Sequence, residues 1–227
     1  MIVVTILAVV LSFQVSGYRA LPFIAIGAIA WIVSVGLKFA WALPTNKPII
    51  SFFKKKLPPK ISDFVSWSYV GLMTGVFECG VALLFVLLLP QLHNADWYGA
   101  MSFGVGFGTI EAVFTSFVAL VPKFRRERNV IAKSLSAIPA AIIERIFTLF
   151  VHVFTKVLIV LSVQQANPSF FWLSFGLKSL LDGIAAFGIM KWKILDKLSR
   201  LWIMELIVVV FGLTSVLGLW LLYNTVK

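Results

Sequence analysis

Cysteine and histidine are almost missing from this 227-residue chain, which has one of the former, Cys79, and two of the latter, His93 and His152. A lone cysteine excludes an intramolecular disulfide. Cys79 lies beside Glu78 in an apolar run, so it says nothing of redox compartment. A zinc centre needs three or four ligands, and the apolar segments offer one His, one Cys and carboxylates on separate runs, with no H-x-x-x-H or C-x-x-C spacing. No resident cofactor is therefore expected, a metal being possible but not supported by the ligand count, and His93, beside Asn94 and Asp96, reads as a solvated loop residue. Charged residues make up only 13% of the chain, and acids number nine against twenty Lys and Arg. Internal repeats, low-complexity linkers and Walker or dinucleotide fingerprints are also missing. Gly104, Gly106 and Gly108 sit in apolar sequence without the strand-to-helix context of a phosphate loop.

What fills the chain is hydrocarbon. Hydrophobic residues make up 60% and mean hydropathy is +1.00, values of an integral membrane protein with no room for a soluble domain. At about 20 residues per span, apolar runs near 1–16, 20–43, 62–90, 101–121, 134–163, 170–190 and 201–223 predict an all-α, polytopic bundle of seven helices, a single membrane domain over 1–227. The first run is short and is kept as an uncleaved helix, having no basic region ahead of it and no cleavage site. The third and fifth are long, which implies tilt or a kink, with Pro139 the candidate in the fifth.

The net charge of +11 is mostly a topology signal, since fourteen of the twenty basic residues fall in three alternate loops. These are 44–61 (Lys47, Lys54, Lys55, Lys56, Lys60), 122–133 (Lys123, Arg125, Arg126, Arg128, Lys133) and 191–200 (Lys191, Lys193, Lys197, Arg200). Loops 91–100 and 164–169 have none. The positive-inside rule makes the basic loops cytoplasmic, which for seven spans puts Met1 inside and Lys227 outside, in the cell membrane. Cations scattered over short loops do not make a nucleic-acid surface. The bilayer is the expected partner, and Phe52 to Lys56 is a candidate interfacial segment for anionic lipid.

Four acids fall inside apolar runs: Glu78, Glu111, Glu144 and Asp182. A charged group at the bilayer centre costs about 2.5–3.5 kcal/mol on insertion scales, so such residues turn inward to a partner or a wet cavity. Arg145, His152, Lys156 and Lys178 lie at similar depth, and together they predict one polar site inside the bundle. Lys178 and Asp182 are spaced i, i+4 for mutual neutralisation. Glu78, Glu111 and Glu144 have no opposite charge at i±3 or i±4, so their partners must come from other helices or water. Arg19, Lys38, Lys156 and Glu205 read as anchoring or interfacial. The spacings Gly71-x-x-x-Gly75 and Gly104-x-x-x-Gly108 predict close helix packing.

Three segments, Gly75-Val76-Phe77-Glu78, Gly104 to Ala112, and Ile143-Glu144-Arg145 through His152, resemble the YhfC family of intramembrane peptidases, related to the CAAX-protease and bacteriocin-processing superfamily. The likeness is concentrated in 62–190. It implies a helical bundle with a site where glutamate activates water and histidine orients it or stabilises an oxyanion. By the resemblance, Glu78, Glu111, Glu144, Arg145, His152 and Asp182 match motif positions. Cys79 stands at an expected second acid, Ala82 at an arginine, and Phe107 and Lys178 at histidines.

Two classes of function follow. One is a peptidase-like enzyme acting on a membrane peptide, with Glu78 or Glu144 as general base and His152 in support. The other, suggested by the altered motifs, is a non-catalytic relative: a binding or scaffold subunit docking a membrane protein, or a proton-coupled carrier using the buried charges.

Overall fold

Within hydrocarbon every backbone N–H and C=O must bond inside its own segment, so long apolar runs become helices. The structure, a computed structural model, describes residues 2–120, 137–194 and 197–226, and among these every long element is helical. In chain order they are α1 (Ile2–Ser16), α2 (Ala20–Lys56), α3 (Pro59–Thr74), a π turn (Gly75–Cys79), α4 (Gly80–Leu88), the short α5 (Pro90–His93), α6 (Trp97–Leu120), α7 (Ala137–Gln164), α8 (Pro168–Met190) and α9 (Leu198–Val226).

Six of these helical stretches are long and apolar enough to cross a membrane, with α3, the π turn and α4 forming one of them. The expected seventh is not among them. The 15 residues of α1, at 1.5 Å rise each, extend about 22 Å, less than the roughly 30 Å of a hydrocarbon core.

Proline sets several boundaries. The loop expected from residue 44 is instead helix as far as Lys56, with Pro44 and Pro48 inside it. The break comes at Leu57, extended at φ −114° and ψ 149°, because Pro58 disfavours helical backbone in the residue before it. Leu89 before Pro90 and Asn167 before Pro168 are extended for the same reason. The Asn167 side chain then caps α8 by accepting from the Ser169 N–H. Pro139, the expected kink, lies in the first described turn of α7, where a missing N–H matters least. The basic segment 122–133 lies outside the described residues.

Burial is inverted relative to a water-soluble core. On α9, Leu206, Leu217 and Trp220 are exposed, while Ser34, Ser66, Thr74, Thr155, Lys156 and Lys178 are buried. Exposed apolar surface is stable against lipid, and the buried hydroxyls bond back to their own helices, as Ser34 does to the Ala30 carbonyl (2.7 Å) and Thr155 to that of Val151 (2.8 Å).

Two glycines let the helices that carry the polar residues approach closely. A Cβ on Gly104 of α6 would lie 2.5 Å from the Cα of Val153 on α7, and one on Gly71 of α3 would lie 2.2 Å from the Ser179 carbonyl oxygen on α8. Neither position accepts a side chain without moving a backbone. The packing expected from the two small-residue spacings is therefore present, and it brings α6 against α7 beside His152, and α3 against α8 beside Lys178.

Candidate functional site

The π turn carries Glu78. One residue is inserted into the helical ladder there, a local widening that recurs at functional positions, and Glu78 and Cys79 both end up buried. The Glu78 carboxylate, 3% exposed, lies between two ammonium groups: Lys38 Nζ is 3.5 Å from Oε1 and Lys178 Nζ is 3.2 Å from Oε2. Lys38 also donates to Thr74 Oγ1 at 3.0 Å. Lys178 also lies 3.4 Å from Asp182 Oδ2, forming the expected i, i+4 pair. Lys156 Nζ donates to the Glu78 carbonyl oxygen at 3.4 Å and sits 3.8 Å above the centre of the Phe107 ring, a cation–π contact strengthened by exclusion of water.

A second carboxylate, Glu111, anchors the other half. Its Oε2 accepts from Trp31 Nε1 at 3.1 Å and lies 3.0 Å from His152 Nε2. Its Oε1 accepts from Arg145 at 3.2 Å. Arg145 also grips Glu144, its neighbour in sequence. The His152 ring is buried, 5.4 Å from the Phe107 ring centroid. Neither ring nitrogen has an aligned hydrogen-bond partner among the described residues, so the 3.0 Å contact with Glu111 is close but not aligned as a hydrogen bond. Ser179 Oγ and Arg145 Nε are likewise buried and unpartnered there.

Every residue proposed from the sequence therefore lies in one connected cluster, running from buried His152, Glu78 and Lys178 to Asp182 and Glu144, which are 28% and 33% exposed. Lys178 lies about 15 Å along α8 from Pro168, taking 1.5 Å per residue, close to half of a hydrocarbon thickness. Three residues expected at the interface do otherwise. Lys38 reaches Glu78, Lys156 is fully buried, and Glu205 is 4% exposed. A long, flexible side chain near a helix end can turn inward as easily as outward, and only the neighbouring helix decides which. Trp31 was not legible at all, since an indole in an apolar run carries no mark of its partner.

Six apolar crossings around a buried ionisable cluster define a multi-pass membrane protein with a polar centre inside its helical bundle. Residues 125–208 match the model of the family described as YhfC intramembrane metalloprotease. That stretch holds Glu144, Arg145, His152, Lys178 and Asp182, and it stops short of Glu78 and Glu111. No curated protein and no solved structure matches the chain.

That description implies a metal ion. By number and position the donors suffice, because one ligand atom each from Glu78, Glu111 and His152 lie within 4.8 Å of one another, and catalytic zinc sites use three protein ligands and a water. The sequence had predicted that these groups meet in one polar site, but with no ligand spacing along the chain it gave no expectation of a three-donor cluster. By charge the two carboxylates are already ion-paired, although Glu78 Oε2 and both His152 nitrogens lack a hydrogen-bond partner among the described residues. Both oxygens of Glu78 face ammonium groups, and those of Glu111 face a guanidinium, an indole N–H and an imidazole. A divalent cation there would sit among Lys38, Lys178 and Arg145 in a medium that screens repulsion poorly. With its lysines in place, the donor set does not fit a dication.

Proposed function

We propose that the chain is a membrane-embedded hydrolase of the peptidase class, with the Glu111–His152 pair as its acid–base centre and no resident cofactor. The observation that carries this reading is the 3.0 Å approach of His152 Nε2 to Glu111 Oε2 inside a bundle whose residues 125–208 match an intramembrane metalloprotease family. Glu78 is clamped between two ammonium groups, and although Arg145 contacts both Glu144 and Glu111, only Glu111 also lies against an imidazole, which makes it the carboxylate best placed to share a proton. In this reading Glu111 takes a proton from water, the water oxygen bonds to the peptide carbonyl carbon, and the resulting oxyanion is stabilised by the neighbouring cations. Collapse breaks the C–N bond, with the proton delivered through His152 to the departing amine. A centre at this depth suits a peptide delivered within the bilayer.

The basic segments 44–61, 122–133 and 191–200 face the cytoplasm of the cell membrane in this proposal, following the positive-inside rule. Contact between Lys191 and Asp63 supports a common side for the first and third.

The test is cleavage of a library of membrane-spanning peptides by the protein reconstituted in lipid vesicles. Turnover that disappears in Glu111→Gln and His152→Ala, with the helical circular dichroism unchanged, supports the proposal. No turnover by the unaltered protein leaves the non-catalytic reading, in which carboxylates saturated by cations hold a docking scaffold together.

A further inference from the structure

We propose that Lys178 is a built-in counter-cation that takes the place of a divalent ion at the cluster of Glu78, Glu111 and His152, so that the centre is complete in charge without metal. The proposal concerns the same site as the hydrolase reading and rests on that reading only for the site's chemical relevance. Its own footing is the arrangement of charges.

Within this cluster the ion-paired acids are Glu78, Glu111, Glu144 and Asp182, and the Lys and Arg side chains in contact with it are Lys38, Arg145, Lys156 and Lys178. Four negative charges meet four positive ones. Glu205, buried without a side-chain partner on Oε2, stands outside these pairs. Adding a dication would leave an excess of positive charge deep in a low-dielectric interior, where an uncompensated ion costs several kcal/mol. A dication adds two charges, so losing one lysine halves the excess and losing none keeps the ion out.

Lys178 is the lysine in the ion's place. It is 4% exposed, enclosed on α8, and its Nζ lies 3.2 Å from the same Glu78 side chain that contributes to the three-donor cluster. Its Nζ is also 3.4 Å from Asp182 Oδ2, so it holds two carboxylates at once. Lys38 is 30% exposed and approaches Glu78 from the other oxygen. Lys156 is directed to a carbonyl and an aromatic face. An ammonium delivers one positive charge and up to three N–H donors, enough to hold two carboxylates in register. It has no vacant coordination position through which to polarise a carbonyl or lower the pKa of water as zinc does.

Replacing Lys178 by histidine removes the opposing charge and adds a fourth ligand at the same wall of the site. The experiment measures zinc bound per chain, by elemental analysis of detergent-purified protein equilibrated with excess Zn²⁺ and then desalted, with no turnover assay involved. Unaltered protein is expected to retain almost none and Lys178→His about one ion per chain, as a four-ligand site requires. The gain should be lost in the double variant Lys178→His with Glu78→Gln. Stoichiometric zinc on the unaltered protein that is abolished by Glu78→Gln or His152→Ala would overturn the proposal. So would a folded Lys178→His that binds none.

Should the histidine variant not fold, thermal melts of three others decide. Glu78→Gln and Lys178→Met should each lower the melting temperature, while the double variant should recover most of the loss because the two charges disappear together. Purely additive losses would mean that the two groups do not neutralise each other, and the assignment fails. Because every readout is metal content or stability, a failure here is distinct from a failure to find peptidase turnover.

Discussion

Lys178 and Glu78 meet across the interface of α8 with the π turn, Nζ 3.2 Å from Oε2, each side chain less than 5% exposed. No other described ion pair is buried on both sides to that degree. Its position explains why the rest of the cluster is arranged in pairs: once one carboxylate is committed to the interior, each neighbouring charge needs an opposite of its own.

Removing one member of this network should cost far more than removing a surface pair. Lys38→Met leaves Glu78 with a single ammonium partner and is expected to destabilise the bundle by about 1–3 kcal/mol, the cost of stranding a buried charged group's contact. Asp63→Asn breaks the pair with exposed Lys191 and should cost less than about 1 kcal/mol. Thermal melts in detergent followed by tryptophan fluorescence rank the two, and equal losses would contradict the assignment of Lys38 to the core.

The acid–base pair should be visible in kinetics. Glu111→Gln keeps the shape of the side chain and its acceptor for Trp31 but removes the proton-accepting charge, so turnover of a membrane peptide should fall by roughly 10²–10⁴-fold. Trp31→Phe deletes only the indole donor to Glu111 and should lower turnover far less. A Trp31→Phe variant as inactive as Glu111→Gln would place the function of Glu111 in packing rather than in proton transfer.

Close helix contact at Gly104 gives a steric prediction. In Gly104→Val the new Cβ would lie 2.5 Å from the Val153 Cα, and α7 would have to retreat, carrying His152 with it. Overpacking of this kind costs typically about 1–3 kcal/mol. Gly36→Ala, where an added Cβ meets nothing within 4 Å, serves as the control and should melt with the unaltered protein.

Topology is tested by labelling. Buried Cys79 is replaced by alanine, and single cysteines are introduced at the exposed positions Lys60, Asn94 and Lys197. A membrane-impermeant thiol reagent should reach Asn94→Cys from outside intact cells, and Lys60→Cys and Lys197→Cys only after the membrane is opened. The reverse pattern would invert the orientation.

The amino-acid sequence by itself determined that this is a helical membrane protein, because a chain in hydrocarbon must bond its backbone internally and long apolar runs leave only helices. It also marked Glu78, Glu111, Glu144, Arg145, His152, Lys178 and Asp182 as inward-facing, because charge cannot rest against lipid. The helix ends before Pro58, Pro90 and Pro168 follow a local backbone rule, yet the apolar runs had put the first of them at residue 43. The pairings were decided by tertiary structure alone. Whether Lys38 turns to Glu78 or to headgroups, and whether Glu111 meets His152 or water, depends on how each helix is rotated about its axis and which neighbour it touches. That rotation is set by backbone contacts at Gly71 and Gly104 and by the extra residue of the π turn; the glycine spacings foretold close packing but not which helix would be the partner, and the π turn has no periodic signature.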